Sequence, residues 1–328
     1  MSVIFSRAPL RISLGGGGTD LPSYYEGHEG FVVAGAIDKY VYMLTHTVFQ
    51  RRYRMKYSEF EEADDISEIR HPILRESLAR HWRGSPLEIA SVADVPAGTG
   101  MGSSGAFTVC LLKGLAHARR TSITPGSLAE AACHIEIDVL DEPVGKQDQY
   151  VAAHGGICAY TFRRDGRVDV EPLELDFETL RLLRSQLLLF FTGEARSASS
   201  ILSDQHERSK SGDNSMIDNL HRTKEMGREA HALLLSGNLD GFAKLMHEHW
   251  VHKRQRSKGI ANDHIDRLYA VAQESGALGG KLVGAGGGGF LLVYTHNPED
   301  TRQAMADAGA SELPFSFEFD GAYALEYA

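Results

Sequence analysis

The order of apolar segments predicts an α+β chain of two domains. Three observations carry this. The first fifty residues read as strands, so strand and helix do not alternate as in a regular βαβ repeat. Helical periodicity dominates from about residue 215 to residue 276. The length of 328 residues exceeds one typical domain.

Taken in order, VIFSRA and RISL read as strands, followed by the long β-rich stretch FVVAGAIDKYVYMLTHTVF. The charged stretch 51–85 holds an acidic run, EFEEADD, expected as a solvated face, and a helix around PILRESLARHW. A strand at 87–95 leads through a glycine-rich loop into a helix at 103–119. A second helix, 125–140, starts with Pro, whose missing N–H is no loss in a first turn. DEPVGKQDQYVAAHGG is rich in turn formers and charge and is expected as a connection before the strand GICAYTF. RRDGR reads as a hairpin turn centred on Asp-Gly. The second half opens on the strand SQLLLFFTG. Amphipathic helices follow around 215–236, 238–256 and 262–276. A glycine-rich loop, the strand FLLVY, the helix PEDTRQAMADAGA and the strand PFSFEF close the chain. The boundary falls near 165–185, giving domains 1–175 and 176–328.

A net charge of −10 argues against a general nucleic-acid binder. It also means that an anionic substrate must meet a local basic pocket. Cys110, Cys133 and Cys158 lack metal or redox spacing and read as buried small residues in a reducing compartment. The N-terminus lacks a sustained apolar run, and the longest such run, LLLFF, is too short to span a bilayer. A cytoplasmic protein with no membrane partner is expected; a homo-oligomer stays open.

The most telling stretch is VPAGTGMGSSGAF (95–107). Its glycines let backbone approach a ligand closely, and the following helix offers unpaired N–H groups and a positive dipole end. Together these make a phosphate site. Gly100, Gly102 and Gly105 form a literal GxGxxG, but the following region, ITPGSLAEAACHIEID, reads as helix where a dinucleotide fold needs a second strand. No Gly-Lys-Ser/Thr follows, which excludes a Walker A loop. Two more glycine-rich segments, APLRISLGGGGTDLPSYY (8–25) and KLVGAGGGGFLLVY (281–294), suggest several backbone segments closing on one ligand.

These three segments, in this order and spacing, resemble the motifs of the GHMP small-molecule kinases from about residue 7 to residue 294. GGGGTDLPSYY, VGKQDQYVAAHGG, FFTGEARSASSIL and MHEHWVHKRQRSKGIAN are most similar to the branch acting on D-glycero-D-manno-heptose 7-phosphate, and more loosely to L-fucose kinase domains. The resemblance implies a ribosomal protein S5 domain 2-like N-terminal domain, a ferredoxin-like C-terminal domain and a cleft between them. It also implies ATP and Mg2+ as cofactors and a sugar or sugar phosphate as acceptor. Where galactokinases carry Gly-Glu-His-Thr-Asp, this chain has Gly17-Gly18-Thr19-Asp20, which argues against galactose.

The resemblance assigns Gly98, Gly100, Met101, Gly102, Ser103, Ser104 and Gly105 to the ATP phosphates. Ser104 and Glu136 become magnesium ligands, with Asp138 and Asp141 as nearby competitors. Asp148 becomes the base or orienting carboxylate, and Arg11 its basic partner. Gly17, Gly18, Thr19, Asp20, Gly286 and Gly287 fall on the substrate side. A sugar phosphate needs a second anion site, for which Lys146 and Arg196 are candidates. Lys253 and Arg254 are weaker candidates for the same anion site and read more plainly as a solvated helix face. His247, His249 and His252 have mixed spacing and read as packing or substrate contacts rather than zinc ligands. Rival readings are an L-fucose or other hexose 1-kinase, a non-catalytic ATP and sugar sensor, and a dinucleotide oxidoreductase.

Overall fold

Alternation in the first strand fades as it enters the molecule. From Val3 to Arg7 every second residue is buried; from Ala8 to Gly15 all are. That change marks where helices cover the second face of the sheet. The computed structural model describes residues 3–49, 51–194 and 199–327. The strands are β1 (Val3–Gly15), β2 (Gly30–Thr47), β3 (Tyr53–Lys56), β4 (Phe60–Ala63), β5 (Leu87–Ala93), β6 (Ile157–Phe162), β7 (Val168–Pro172), β8 (Leu187–Phe191), β9 (Ala277–Leu282), β10 (Phe290–Thr295), β11 (Ser311–Glu312) and β12 (Tyr323–Tyr327). The helices are α1 (Pro22–His28), α2 (Pro72–His81), α3 (Ser103–Ala118), α4 (Pro125–Cys133), α5 (Gln147–His154), α6 (Phe177–Gln186), α7 (Ser199–Lys210), α8 (Asn214–Leu235), α9 (Leu239–Lys253), α10 (Asp263–Glu274) and α11 (Pro298–Asp307).

The first sheet runs β12-β1-β2-β5-β3-β4, with β6 and β7 branching from β2. Along the edge opposite β1, β2 is long enough to serve two partners: Gly30–Gly35 pairs with β6 and Val41–Thr47 with β5. VIFSRA and RISL are one strand, not two. Pro9, which cannot donate to the ladder, sits at a register shift that absorbs the missing bond. The second sheet runs β11-β8-β10-β9 and is antiparallel throughout. Its central strands carry continuous apolar runs because both faces are covered. Leu187 and Leu189 of β8 face the larger core, while Leu188 and Phe190 face a smaller one around Trp250, Ile265 and Met305.

Four further expectations are corrected. The helix expected over 125–140 is α-helical to Cys133 and then a π-helix over His134–Val139, with Leu140 N–H bonding to Ile135 O. The supposed connection GKQDQYVAAH contains α5, buried on its Gln147, Gln149 and Tyr150 side. PFSFEF is not a strand: Phe317 alone bridges to Ile37, and β12 follows later, returning to pair with β1. The acidic run is not wholly solvated, because Glu61 is buried and accepts the N–H groups of Arg70 and His71. The Asp-Gly hairpin joins β6 to β7 as expected.

Glycine is required where two of the loops cross. A Cβ on Gly100 would stand 2.7 Å from Val283 O, and one on Gly284 would stand 2.6 Å from Gly100 Cα. Both residues also have positive φ, +77° and +75°. This contact brings the second and third glycine-rich loops together.

Candidate active site

A cavity of about 820 Å³ opens where these loops meet. It is lined by the end of β1 and the first glycine loop, by the loop entering α3, by α5 and α7, and by the end of α9. Gly284 and Ala285 complete it from the third loop.

At its centre Arg11 meets Asp148. Arg11 Nε donates to Asp148 Oδ1 at 2.7 Å, and Nη2 lies 2.7 Å from the same oxygen. Nη1 donates to Gly100 O at 2.5 Å, tying the pair to the phosphate loop. Gln147 Nε2 adds a third donor to Oδ1 at 3.2 Å. Among the described residues nothing donates to Asp148 Oδ2, so one carboxylate oxygen is left for a ligand. Gly105 explains how close α5 can come: a Cβ there would stand 2.8 Å from Asp148 Cβ.

Asp20 sits beside this pair, buried, with Oδ1 accepting Gly18 N–H at 2.9 Å and Oδ2 accepting Gln147 N–H at 3.2 Å. Burial, and then the Asp148 charge, push its carboxyl above the ordinary carboxylate range. A Cβ at position 145 would collide with Asp20 Oδ2, so Gly145 is what lets the α5 segment close on it.

α3 begins at Ser103, and no side chain caps its N-terminus, because the N-cap is Gly102 at φ +77°. The helix N–H groups are thus available to an anion in the cavity. Ser103 Oγ is buried without a partner among the described residues. Ser104 Oγ donates to Glu136 Oε2 at 2.5 Å, and Gln149 Nε2 donates to Oε1 at 3.0 Å. Glu136 is 1% exposed, stands behind Ser104 on the π-helix, and has no cation in ion-pair reach among the described residues. Burial pushes its carboxyl up, against the pull of those two hydrogen bonds. A buried carboxylate without a counter-cation, bonded to the Ser104 hydroxyl at the cavity wall, suits an oxygen-seeking divalent cation. Asp138 is exposed and pairs with His134, and Asp141 is exposed, so neither competitor reaches the cavity.

Other candidates are placed elsewhere. Lys146 does not line the cavity. Its ammonium bridges both Glu130 oxygens at 3.0 Å and Gly166 O at 2.8 Å, because α4 presents Glu130 directly to it. Its part is to clamp the segment carrying Gln147 and Asp148. Thr19 is fully buried, its hydroxyl accepting Phe31 N–H and sharing its one proton between Gly16 O and Phe31 O, and holds the loop rather than a ligand. Met101 is buried and contributes its carbonyl to Arg11 N–H. Gly286 and Gly287 pack against Ile260 instead of the cavity. Gly17, Gly18, Gly98, Gly100 and Gly102 do line it. Arg196 lies outside the described residues. Arg254 is on the surface, paired with Asp266, whereas Lys253 is buried against the cavity, contrary to the solvated face expected. His249 is buried, His247 bonds to Tyr269 and His252 to Asn219 O.

Gln147, Gln205 and Arg256 are wall residues that sequence reasoning missed, as is an apolar end formed by Tyr57, His71, Ile73, Val92 and Phe107. There His71 is stacked on Phe107 with centroids 5.0 Å apart. The signal for Arg256 was present: Phe242, Met246, His249, Lys253 and Arg256 continue one stripe at three- and four-residue spacing, and all are buried.

Lys281, on β9, is 3% exposed and has no ion pair among the described residues. Burial, then Arg11 and Arg256, push its ammonium down to about 7. Between that value and the ordinary 10.5 the unfolded chain holds more protons, so stability rises with pH across this window. Below it the full cost is present. Lys281→Met is therefore expected to stabilise the protein at pH near 7 by on the order of a few kcal/mol, with the gain fading towards pH 10. Denaturant unfolding at the two pH values measures this; an equal difference at both would contradict it.

Models of two domains match the chain: the GHMP kinases N terminal domain over residues 72–156 and the GHMP kinases C terminal domain over residues 230–312. The D-glycero-alpha-D-manno-heptose 7-phosphate kinase of Campylobacter jejuni is 28% identical over 90% of each chain. The bifunctional fucokinase/GDP-fucose pyrophosphorylase of Arabidopsis thaliana is 25% identical over 90% of this chain, which spans 30% of that protein. Among solved structures, a D-glycero-D-manno-heptose 1-phosphate kinase from Bacteriodes thetaiotaomicron superimposes with a TM-score of 0.82 at 24% identity over 99% of both chains. Lactococcus lactis galactokinase with galactose gives 0.77 at 17% identity over 98% of this chain and 95% of that one. The two-domain fold is thereby shared. Among the described residues no helix is long and apolar enough to cross a membrane.

Proposed function

The chain belongs to the GHMP kinase family, and we propose that it transfers the γ-phosphoryl group of ATP to the anomeric hydroxyl of D-glycero-D-manno-heptose 7-phosphate. The product is the 1,7-bisphosphate, a precursor of nucleotide-activated heptose for surface polysaccharide. The carrying observation is the Arg11–Asp148 pair, fixed to the phosphate loop and opening on the cavity shared with Asp20. The choice of heptose phosphate is supported by the Campylobacter jejuni relative, similar over nearly the whole chain.

Phosphoryl transfer is mostly positioning and charge neutralisation. The open α3 N-terminus and Ser103 receive the triphosphate, and the apolar end with His71 and Phe107 suits a flat heteroaromatic base. Asp148 Oδ2 accepts the proton of the attacking hydroxyl as its oxygen bonds the γ-phosphorus and the bond from that phosphorus to the β–γ bridging oxygen breaks, releasing ADP. Arg11 holds that carboxylate in place and sets a positive charge beside the transferred group. Asp20 orients the sugar through a ring hydroxyl. Ser104 and Glu136 are the residues that would hold magnesium, which supplies neutralising charge to the phosphate oxygens when bound. Arg11, Ser104, Glu136 and Asp148 together give the site what turnover requires, which speaks against a sensor. The halves 1–175 and 176–328 are our proposed domains, with β12 returned to the first sheet. A cytoplasmic setting is supported by three buried, unpaired thiols, Cys110, Cys133 and Cys158.

The test is ADP release with magnesium across heptose 7-phosphate, sedoheptulose 7-phosphate, mannose, fucose and galactose. Strong turnover with the heptose phosphate alone is expected. Turnover with a free sugar alone would replace this acceptor with a hexose.

A further inference from the structure

We propose that the end of α9 and the turn after it form a subsite for the acceptor's phosphate monoester, with Arg256 as its principal ligand and Lys253 and Gln205 beside it. All three line the cavity that holds Asp20 and Asp148. Arg256 is 5% exposed and Lys253 is 7% exposed. Neither has a carboxylate within ion-pair distance among the described residues, and buried cations normally do.

The partners of Arg256 are all neutral. Nε donates to Asn219 Oδ1 at 2.8 Å and Nη2 to Thr223 Oγ1 at 2.6 Å. Nη1 donates to Gly17 O at 3.2 Å and, at 3.5 Å, to Gln205 Oε1. A guanidinium has five N–H donors, so these contacts fix its plane and still leave an Nη2 N–H over. Lys253 Nζ donates to Leu282 O at 3.0 Å and to Gly284 O, which leaves its third N–H. Burial and the neighbouring cations push the Lys253 ammonium down, and an arriving dianion would reverse that. Asp20 is the carboxylate that acts on Arg256, from beyond ion-pair distance, so the guanidinium keeps its positive charge in the cavity with no anion bonded to it.

Arg256 and Gln205 stand apart from the ATP phosphates, while Lys253 reaches towards them through Gly284, which packs on Gly100. The triphosphate cradle is the loop entering α3. Arg256 and Gln205 instead touch the first glycine loop, where a Cβ on Gly18 would stand 2.5 Å from Arg256 Nη1 and 2.9 Å from Gln205 Nε2. Hydrogen bonds run in series from Asp148 to Gln147, to Asp20, to Gly18 and to Gln205, with Arg256 beside them. A sugar laid along this series has its reacting hydroxyl at Asp148, a ring hydroxyl at Asp20 and a distal phosphate at Arg256. The inference rests on the acceptor being a sugar phosphate.

Steady-state kinetics of the full chain test it. The variants are Arg256→Gln, Arg256→Lys and Gln205→Glu, which sets a carboxylate against the guanidinium. Heptose 7-phosphate, the same heptose without phosphate, and mannose 6-phosphate are compared. For Arg256→Gln, KM for the phosphorylated acceptor is expected to rise about 10- to 100-fold, with KM for the free sugar and for ATP changing little. Arg256→Lys should recover part of the loss. Gln205→Glu should show the same selective loss, and it stands as the test where Arg256→Gln fails to fold. Equal losses for phosphorylated and free sugar would make Arg256 a staple of the first glycine loop and overturn the subsite. Unchanged KM for heptose 7-phosphate would overturn it while leaving the heptose kinase intact. A selective loss seen with mannose 6-phosphate, in a protein that ignores the heptose, would support the subsite and reject the heptose. Turnover of free sugars alone would overturn both.

Discussion

Asp148→Asn lowers kcat by about 10²- to 10⁴-fold while KM for ATP stays within about threefold. The amide has the carboxylate's shape and can still accept from Arg11, so the contact that ties Asp148 to Gly100 through Arg11 persists. What is lost is the proton acceptor at Oδ2 and the negative charge that aligns the hydroxyl. Steady-state kinetics with magnesium and the phosphorylated heptose decide it. A kcat within about tenfold of the parent would leave Asp148 as a positioning group and remove base catalysis from the account. A loose transition state makes that outcome chemically reasonable, which is why the measurement discriminates.

Glu136→Gln separates activity from stability. Turnover is expected to fall by about 10²-fold or more, and the magnesium concentration for half-maximal rate to rise. The ligand-free protein is expected to gain about 1–3 kcal/mol, because a buried carboxylate without a counter-cation is replaced by an amide that Ser104 and Gln149 can still satisfy. Thermal unfolding with and without magnesium and nucleotide reads both effects, since stabilisation by the metal should shrink in the variant. An unchanged magnesium requirement with unchanged stability would make Glu136 a packing residue of the π-helix.

The glycine-rich loops could be read from the sequence because their chemistry is backbone chemistry. Gly100 and Gly284 have positive φ and touch, and no other residue type satisfies both conditions. Asp148 was found through its motif, but the helix that carries it was not. α5 buries Gln147 and Gln149, and polar residues in a buried face erase the apolar period that marks a helix. Lys146 misled for a related reason: a lysine beside a catalytic motif looks like a phosphate ligand until Glu130, sixteen residues earlier, is seen to claim it. In HWVHKRQR, composition could not say which cations turn inward. Three- and four-residue spacing from Phe242 does, selecting Lys253 and Arg256 and leaving Arg254 to the solvent. PFSFEF alternates as a strand should, yet it has only one bridging partner, at Ile37.

A heptose can carry phosphate at the anomeric carbon, at carbon 7 or at both, so product identity carries the most weight. The decisive measurement is phosphorus NMR of the product formed from D-glycero-D-manno-heptose 7-phosphate, magnesium and ATP. Two phosphate signals of equal area are expected for each sugar, one of them coupled to the anomeric proton. ADP release without a new anomeric phosphate, or a new phosphate at another carbon, would contradict it.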